Sequence, residues 1–207
     1  MGDDTGIVDT PDSWPVERSE TRYRSPIVGM VTDWVRMPGR DGEETVARDR
    51  FVHPGAVAAL ALDDAGRVLL LRQYRHAVQH RLWELPAGIR DVDGEPPLRT
   101  AQRELLEEAG YRAATWHELA DFFPSAGFST ERIHVFLARD LVRVPEEEVD
   151  FVRIHEEADM PIEWVPLDEA VAAVLAGRLH NAATVIGILA AHAASRDGFA
   201  SLRPAVE

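Results

Sequence analysis

The segment from Leu85 to Tyr111 constrains the fold more than any other part of the 207-residue chain, because both its ends and its faces are marked. Pro96 and Pro97 suit the first turn of a helix, and Gly110 suits the left-handed position just after one. The residues between them therefore predict a helix of about three turns. Apolar residues recur at helical spacing within it and predict the face that packs on a core: Leu98, Ala101, Leu105 and Ala109.

Three glutamates, Glu104, Glu107 and Glu108, lie on another side of the same predicted helix. Like charges at this spacing destabilise a helix, and a bound cation would offset their repulsion. Carboxylate oxygens prefer hard ions such as Mg²⁺ or Mn²⁺, which are commonly shared with substrate phosphates. The face therefore points to cleavage of a phosphate ester or anhydride. For these three residues alone, a solvated acidic face without metal is the alternative.

The same segment resembles the signature of the Nudix hydrolase family. The matching residues are Gly88, Glu95, Arg103, Glu104, Leu105, Glu107, Glu108 and Gly110. One residue more than in the family separates Gly88 from Glu95, and Tyr111 stands where the family has an aliphatic residue. Because a surface turn accepts an extra residue at small cost, we expect a longer turn at Asp93-Gly94 and an intact site.

This resemblance implies roles for several residues. Arg103 and Glu95 would form an ion pair that orients the helix. Glu104 and Glu108 would be catalytic through the metal, which would be Mg²⁺ or Mn²⁺ in two or three copies. The implied metal ligands are the carbonyl of Ala87 and the side chains of Glu104, Glu107 and Glu108.

Along most of its length the chain is also similar to the ADP-ribose pyrophosphatase branch of this family. The matching pieces are an N-terminal β unit, Gln73-Tyr74-Arg75, Trp83 to Gly88, Ser125 to Glu131, His155 to Met160, and Asn181-Ala182-Ala183. One departure is Ala126, which stands where the branch typically has a proline. In that branch the β unit is exchanged within a homodimer, and both subunits build the substrate pocket.

The wider resemblance adds residues that neither spacing nor periodicity would indicate. Glu157, with Glu156 as its substitute, would activate water or bind a further metal. If neither acts, Glu131 is the next candidate. The implied substrate contacts are Arg75, Arg48, and the backbone at Ile89 beside Gly88.

The function implied is metal-dependent hydrolysis of the diphosphate bond of an ADP-sugar, with ADP-ribose giving AMP and ribose 5-phosphate as the first choice. A second possibility is a diphosphatase for another nucleotide sugar or nucleoside diphosphate derivative. A non-catalytic nucleotide-binding regulator is the alternative of another class. The intact set of Glu104, Glu107 and Glu108 favours an enzyme.

Composition narrows the partners and the compartment. A formal net charge of -14 argues against a nucleic acid partner, whose binding relies on lysines and arginines. The chain has no cysteine, which excludes disulfides and thiolate zinc sites and fits a reducing cytoplasm. The acidic start indicates no secretory signal, and the apolar run at residues 182–191 is far shorter than the roughly 20 residues of a membrane span. We expect a cytoplasmic protein with a small-molecule substrate and no membrane partner.

In chain order, residues 1–20 are expected to be a disordered tail, residues 21–52 a β unit used in dimerisation, and residues 53–207 the catalytic domain. Within the β unit, Tyr23 to Arg36 and Glu44 to Val52 predict a hairpin. Within the catalytic domain, Ala56 to Leu62 and Arg67 to Tyr74 predict a second hairpin whose strands are buried on both faces.

The remaining elements complete the predicted fold. The expected features are a strand at Trp83 to Gly88 with Glu84 inward, strands at Trp116 to Phe123 and Arg132 to Val142, and a long acidic loop from Pro145 to Asp159. Two final helices are predicted, with Asp168 and Asn181 as their caps. The fold class is α/β: a Nudix-like α/β/α sandwich with a mixed β-sheet, preceded by a small antiparallel β unit.

Overall fold

A computed structural model of the chain describes residues 6–149, 151 and 160–206. The chain forms two compact units, Met1–His53 and Pro54–Glu207. Among the described residues, no helix has the length and apolar character needed to cross a membrane.

The first unit is one antiparallel sheet in the order β1-β2-β3. The predicted hairpin is present as β2 and β3, which pair from Gly29↔Val52 to Pro38↔Glu43, but Tyr23 and Arg24, expected in its first strand, end β1 instead. A third strand precedes it and begins at Val16, inside the segment for which we expected disorder. The strands are β1 (Val16–Arg24), β2 (Gly29–Pro38) and β3 (Glu43–Val52).

The described part of the second unit contains two sheets, in the orders β7-β4-β9-β8 and β10-β5-β6. Strands β4 and β9 run parallel, whereas the other pairs are antiparallel, so the predicted mixed sheet is confirmed. The strands are β4 (Ala56–Ala61), β5 (Arg67–Arg75), β6 (His80–Glu84), β7 (Ala87–Ile89), β8 (Tyr111–Phe122), β9 (Ile133–Arg143) and β10 (Ile162–Pro166).

The predicted pairing of β4 with β5 is wrong, although both strands exist and are buried on both faces. They lie in different sheets and share the isolated bridge Leu62↔Val68 beside the turn. Strand β4 is wholly apolar and β5 has the buried apolar run 68–71, so neither alternation nor turn chemistry shows which edges they use. Partners distant in sequence decide this, because β4 pairs with β7 and β9 while β5 pairs with β6 and β10.

Among the described residues, three α-helices pack on the sheets of the second unit: α1 (Pro97–Ala109), α2 (Leu167–Leu175) and α3 (Ala182–Ser195). Helix α1 is confirmed, including Gly110 after it in the left-handed conformation with φ 73°. Asn181 caps α3 as predicted, since its side chain accepts a hydrogen bond from the Thr184 amide. The prediction for α2 is wrong at its start: Pro166 precedes the helix, and Asp168 lies within its first turn.

The core divides into two clusters on opposite faces of β4, as expected for a sandwich. Val57, Ala59 and Ala61 pack with the apolar stripe of α1. The intervening residues, such as Leu60, pack with Ile188 of α3 and with part of α2. Successive side chains of a strand point to opposite faces, so a fully apolar β4 holds both helical layers on the sheet.

Candidate active site

The glutamate face of α1 lies against the short strand β7, which follows a break at Leu85-Pro86. Glu108 is 3% exposed, and its Oε2 accepts a 2.7 Å hydrogen bond from the Ala87 amide. A buried carboxylate needs such a donor, because burial without hydrogen bonds strongly disfavours its charged form. This bond fixes the helix face to the strand that carries Ala87 and Gly88.

Gly88 makes the closest approach between this strand and the helix. A Cβ atom at this position would lie 2.1 Å from Oε1 and 2.2 Å from Cδ of Glu104. No other amino acid fits there unless the glutamate moves. The requirement for glycine in the matched signature is therefore steric at this position, and Gly88 is not in the left-handed region.

Arg103 joins the acidic side chains of the site. Its Nη1 donates to Glu104 at 2.8 Å and to Glu107 at 3.2 Å, and its Nη2 lies 3.4 Å from Glu95. The predicted ion pair of Arg103 with Glu95 is thus confirmed. Burial would lower the pKa of Arg103, but Glu104, Glu95 and Glu107 raise it above its ordinary value. Thr100 in turn positions Glu95, because its hydroxyl donates to Glu95 Oε2 at 2.9 Å.

The donor set fits a hard divalent ion in its chemistry, although its present geometry differs from that of a ligand shell. Glu104, Glu107 and Glu108 supply three carboxylates beside a strand whose glycine leaves room. Within the described residues, no group of three or more His, Asp or Glu side chains is arranged to hold a metal ion. Arg103 currently occupies the space between Glu104 and Glu107, where its positive charge balances theirs.

Arg75, a predicted substrate contact, lies at the end of β5 and is paired with Glu84. Its Nε and Nη2 both reach the Glu84 carboxylate, with distances from 2.6 Å to 3.2 Å. Glu84 is 2% exposed, so its predicted inward orientation is confirmed. The fork fixes one edge of the Arg75 guanidinium, and 43% of the side chain stays accessible.

A contact from α3 supports the strand break that leads into β7. The hydroxyl of Thr184 accepts from the Leu85 amide at 3.1 Å and donates to the Asn181 side chain at 3.1 Å. Thr184 is fully buried. The helix cap therefore also positions the peptide before Ala87 and Gly88, a connection across 99 residues of sequence.

The other predicted site residues are spread over the chain. Arg48 lies on β3 in the first unit, opposite Asp33, and its Nη1 donates to the Ala47 carbonyl. Ile89 ends β7 and pairs with Ala56. Glu156 and Glu157 lie outside the described residues. Glu131 follows a turn in which the amides of Phe128 and Ser129 donate to the Ser125 carbonyl.

The sequence did not indicate a group of polar residues where β8 ends and β9 begins. Asp121 and His134 are cross-strand partners, and Arg132 forms a two-point ion pair with Asp121. A cavity of about 400 Å³ lies beside them. The alternation in β9 puts His134 with Phe136 on one face, but the sequence could not show that this is the face of α1.

The NUDIX domain family matches residues 52–185, which include α1, β7 and every described residue of the glutamate site. The chain belongs to the Nudix family. Nudix hydrolases generally use divalent metal ions, in agreement with the donor chemistry of the three glutamates.

Two relatives of this Nudix hydrolase match most of its length. An ADP-ribose pyrophosphatase from Mycobacterium tuberculosis is 46% identical over 186 residues, covering 90% of this chain and 86% of that protein. An ADP-ribose pyrophosphatase from Bacillus subtilis is 32% identical, covering 82% and 87%. A crystal structure of an ADP compounds hydrolase has a TM-score of 0.74 at 18% identity, covering 92% of this chain and 99% of that one, so the two proteins have similar folds.

Proposed function

We propose that this Nudix hydrolase splits ADP-ribose into AMP and ribose 5-phosphate. The observation that carries the proposal is the junction of β7 with α1, where Gly88 meets Glu104 and the Ala87 amide binds Glu108. The two relatives named as ADP-ribose pyrophosphatases support the choice of substrate, since each covers more than four fifths of the chain.

We propose Mg²⁺ or Mn²⁺, in two or three copies, as the cofactor. Glu104, Glu107, Glu108 and the carbonyl of Ala87 would hold it. When bound, such ions screen the diphosphate charge, polarise its P–O bonds and lower the pKa of the attacking water. For Glu104 and Glu107 to serve as ligands, their contacts with Arg103 must weaken, and Glu95 remains as the partner of that arginine.

The reaction adds one water across the P–O–P linkage. The water oxygen bonds to one phosphorus, the bridging oxygen leaves with the other phosphate, and the water proton passes to a base. We assign Glu157 as this base, or as a further metal ligand, with Glu156 as its substitute. Arg75, whose guanidinium is paired with Glu84, would bind a phosphate oxygen. The backbone at Ile89 and Gly88 and the side chain of Arg48 complete the proposed substrate contacts.

We also propose that the active form is a homodimer whose first unit mediates assembly. Every residue of β1 is exposed, including Val16 at 50% and Tyr23 at 59%. A three-stranded sheet with such an uncovered outer strand offers unpaired backbone groups to another chain. Because this unit is exchanged between subunits in the family branch, we propose that Arg48 contributes to the substrate pocket of the partner subunit.

A diphosphatase for another nucleotide sugar is the second candidate, because Ala126 replaces the proline typical of the ADP-ribose branch. The glutamate site would be the same for either substrate. A non-catalytic nucleotide-binding regulator is disfavoured by the complete glutamate set.

A panel of nucleotide sugars assayed for phosphate-containing products tests these alternatives. With Mg²⁺, ADP-ribose should be hydrolysed at the highest kcat/KM and give AMP and ribose 5-phosphate in equal amounts. With EDTA, product formation should stop and should return on addition of excess Mg²⁺ or Mn²⁺. A higher kcat/KM for another nucleotide sugar would reassign the substrate, and nucleotide binding without products would support a regulator.

A further inference from the structure

A row of residues extends across the sheet from the glutamate site. Gly88 on β7 pairs with Val57 on β4, Val57 pairs with His134 on β9, and His134 pairs with Asp121 on β8. Cross-strand partners point to the same face, and Val57 lies in the cluster that contains α1. His134 and Asp121 therefore share the face of the proposed active site, with His134 two strand spacings, or about 10 Å, from Gly88.

Arg90 and Arg132 lie beside this row, on either side of Gly55. The amide of Arg90 donates to the Gly55 carbonyl, and the amide of Ala56 donates to the Arg132 carbonyl. A Cβ atom at Gly55 would lie 3.7 Å from Cδ and 3.9 Å from Nη1 of Arg90. The side chain of Arg90 thus lies over Gly55.

Arg132 and Arg90 differ in whether a carboxylate balances their positive charge. Arg132 is paired with Asp121 through two nitrogens. Burial lowers the pKa of His134, Asp121 opposes this effect, and the positive charges of Arg132 and Arg90 lower the pKa further. His134 is therefore a neutral hydrogen-bonding group at pH 7, and both arginines lie close enough to affect it.

Arg90 has no comparable compensation. Its Nε is buried and has no hydrogen-bond acceptor, a condition shared among the described residues with Nδ1 of His117 alone. No carboxylate in the described part of the chain lies within 4.0 Å of its guanidinium. An unsatisfied buried donor on a charged group is costly, so the environment of the Arg90 guanidinium differs from that of Arg132, which has a carboxylate partner.

We propose that Arg90, Arg132 and His134 form a subsite that binds the phosphate of the sugar-phosphate half of the substrate. The proposal rests on the proposed function and adds residues to it. Guanidinium groups bind phosphate through parallel N–H donors, and within the described residues the guanidinium of Arg90 forms no ion pair with a carboxylate. The neighbouring cavity of about 400 Å³ places the carboxylates of Glu118 and Asp121 where they can accept hydrogen bonds from sugar hydroxyls. This arrangement suits a sugar phosphate better than a second nucleobase, which would bring few hydroxyl donors.

The test measures binding of ribose 5-phosphate, inorganic phosphate and AMP to the full chain by calorimetry in EDTA, so that metal has no part in the readout. Arg90→Gln should weaken ribose 5-phosphate and inorganic phosphate roughly tenfold to hundredfold and leave AMP within about twofold. Arg90→Lys, which keeps the charge but loses the fork, should fall between. The matched control is Arg112→Gln at the exposed far end of β8, which should bind all three ligands like the wild type.

A second variant keeps the test decisive if Arg90→Gln fails to fold. Arg132→Gln alters a side chain that is 51% exposed, and it should also weaken ribose 5-phosphate. The subsite would be overturned if both variants bound ribose 5-phosphate and phosphate as tightly as the wild type. It would also be overturned if the wild-type protein bound neither ligand. Equal loss of AMP and ribose 5-phosphate would overturn its assignment to the sugar-phosphate half.

The hydrolysis assay separates this proposal from the proposed function. Wild-type protein that binds ribose 5-phosphate through Arg90 but releases no AMP from ADP-ribose would contradict the function and retain a phosphate subsite. Wild-type turnover of ADP-ribose with no effect of Arg90→Gln on KM would contradict the subsite and retain the function. If both proposals hold, Arg90→Gln should raise KM for ADP-ribose more than it lowers kcat.

Discussion

Gly88 and Glu104 approach so closely that a methyl group on the glycine would lie 2.1 Å from the carboxylate oxygen. Arg103 donates to the same Oε1 at 2.8 Å, so a shift of the glutamate would alter this contact as well. Strand β7 and helix α1 together thus limit the positions of the Glu104 carboxylate in this structure.

Gly88→Ala is expected to lower kcat/KM for ADP-ribose by roughly 10²-fold or more, because displacement of Glu104 removes several kcal/mol of metal-derived stabilisation. The control is Gly66→Ala, at a turn with φ +72° and no atom within 4 Å of the added carbon. It should cost stability through backbone strain, about 1–2 kcal/mol, without changing KM or kcat. Urea unfolding and steady-state kinetics measure the two effects, and equal activity in both variants would contradict the steric role of Gly88.

Glu104→Gln and Glu108→Gln should each remove most turnover and leave the fold intact. Glutamine keeps an oxygen for the Ala87 amide but loses the charge that binds a hard ion. We expect a loss on the order of 10²-fold or more in kcat/KM at limiting Mg²⁺. Glu163→Gln, on an exposed position of β10, removes the same charge away from the site and should retain wild-type kinetics. Full activity of Glu104→Gln or Glu108→Gln at limiting Mg²⁺ would reject the ligand assignment.

Substitution of Glu157 tests whether this residue acts as a general base or as a metal ligand. As a general base, Glu157→Gln should lower kcat by roughly 10²- to 10⁴-fold with little change in KM. As a ligand, it should also raise the Mg²⁺ concentration that gives the half-maximal rate. Glu156→Gln and the double variant, assayed across Mg²⁺ concentration and pH, show whether the neighbour substitutes. Near-wild-type kcat in all three variants would move the search to Glu131.

Removal of residues 1–52 tests assembly. The truncated chain should be a monomer or insoluble and should have little activity, because the proposed dimer unit and Arg48 are lost together. Size-exclusion chromatography with light scattering gives the mass, and Arg48→Gln in the full chain is the control that keeps the sheet. A soluble monomer with wild-type kcat/KM would refute the shared pocket.

His134 should make the stability of the protein depend on pH below neutrality. Its pKa in the folded chain is lowered from 6.5, chiefly by burial, so the unfolded chain binds the proton more readily. Stability is then complete above about pH 6.5 and is lost as the pH falls through the folded-state pKa. Urea unfolding between about pH 7 and about pH 5 should show a steeper decline in the wild type than in His134→Gln. Parallel curves would show that burial of His134 contributes nothing to this slope.

The sequence alone determined the parts whose signals are local. Pro97 and Gly110 mark the ends of α1, and its apolar stripe and glutamate face follow from helical spacing. Asn181 caps α3 for the same reason, because a cap needs only the first turn that follows it. The family signature lies within a single segment and could be recognised in the sequence despite its longer loop.

Pairings over long distances were decided by the tertiary structure. The sequence could not show that β4 and β5 enter different sheets, because two strands buried on both faces carry no alternation to distinguish their edges. Nor could it show that Thr184 binds the Leu85 amide, or that Asp121 pairs with both His134 and Arg132. Such contacts depend on strand register, which is fixed when the whole core packs and not by any one segment.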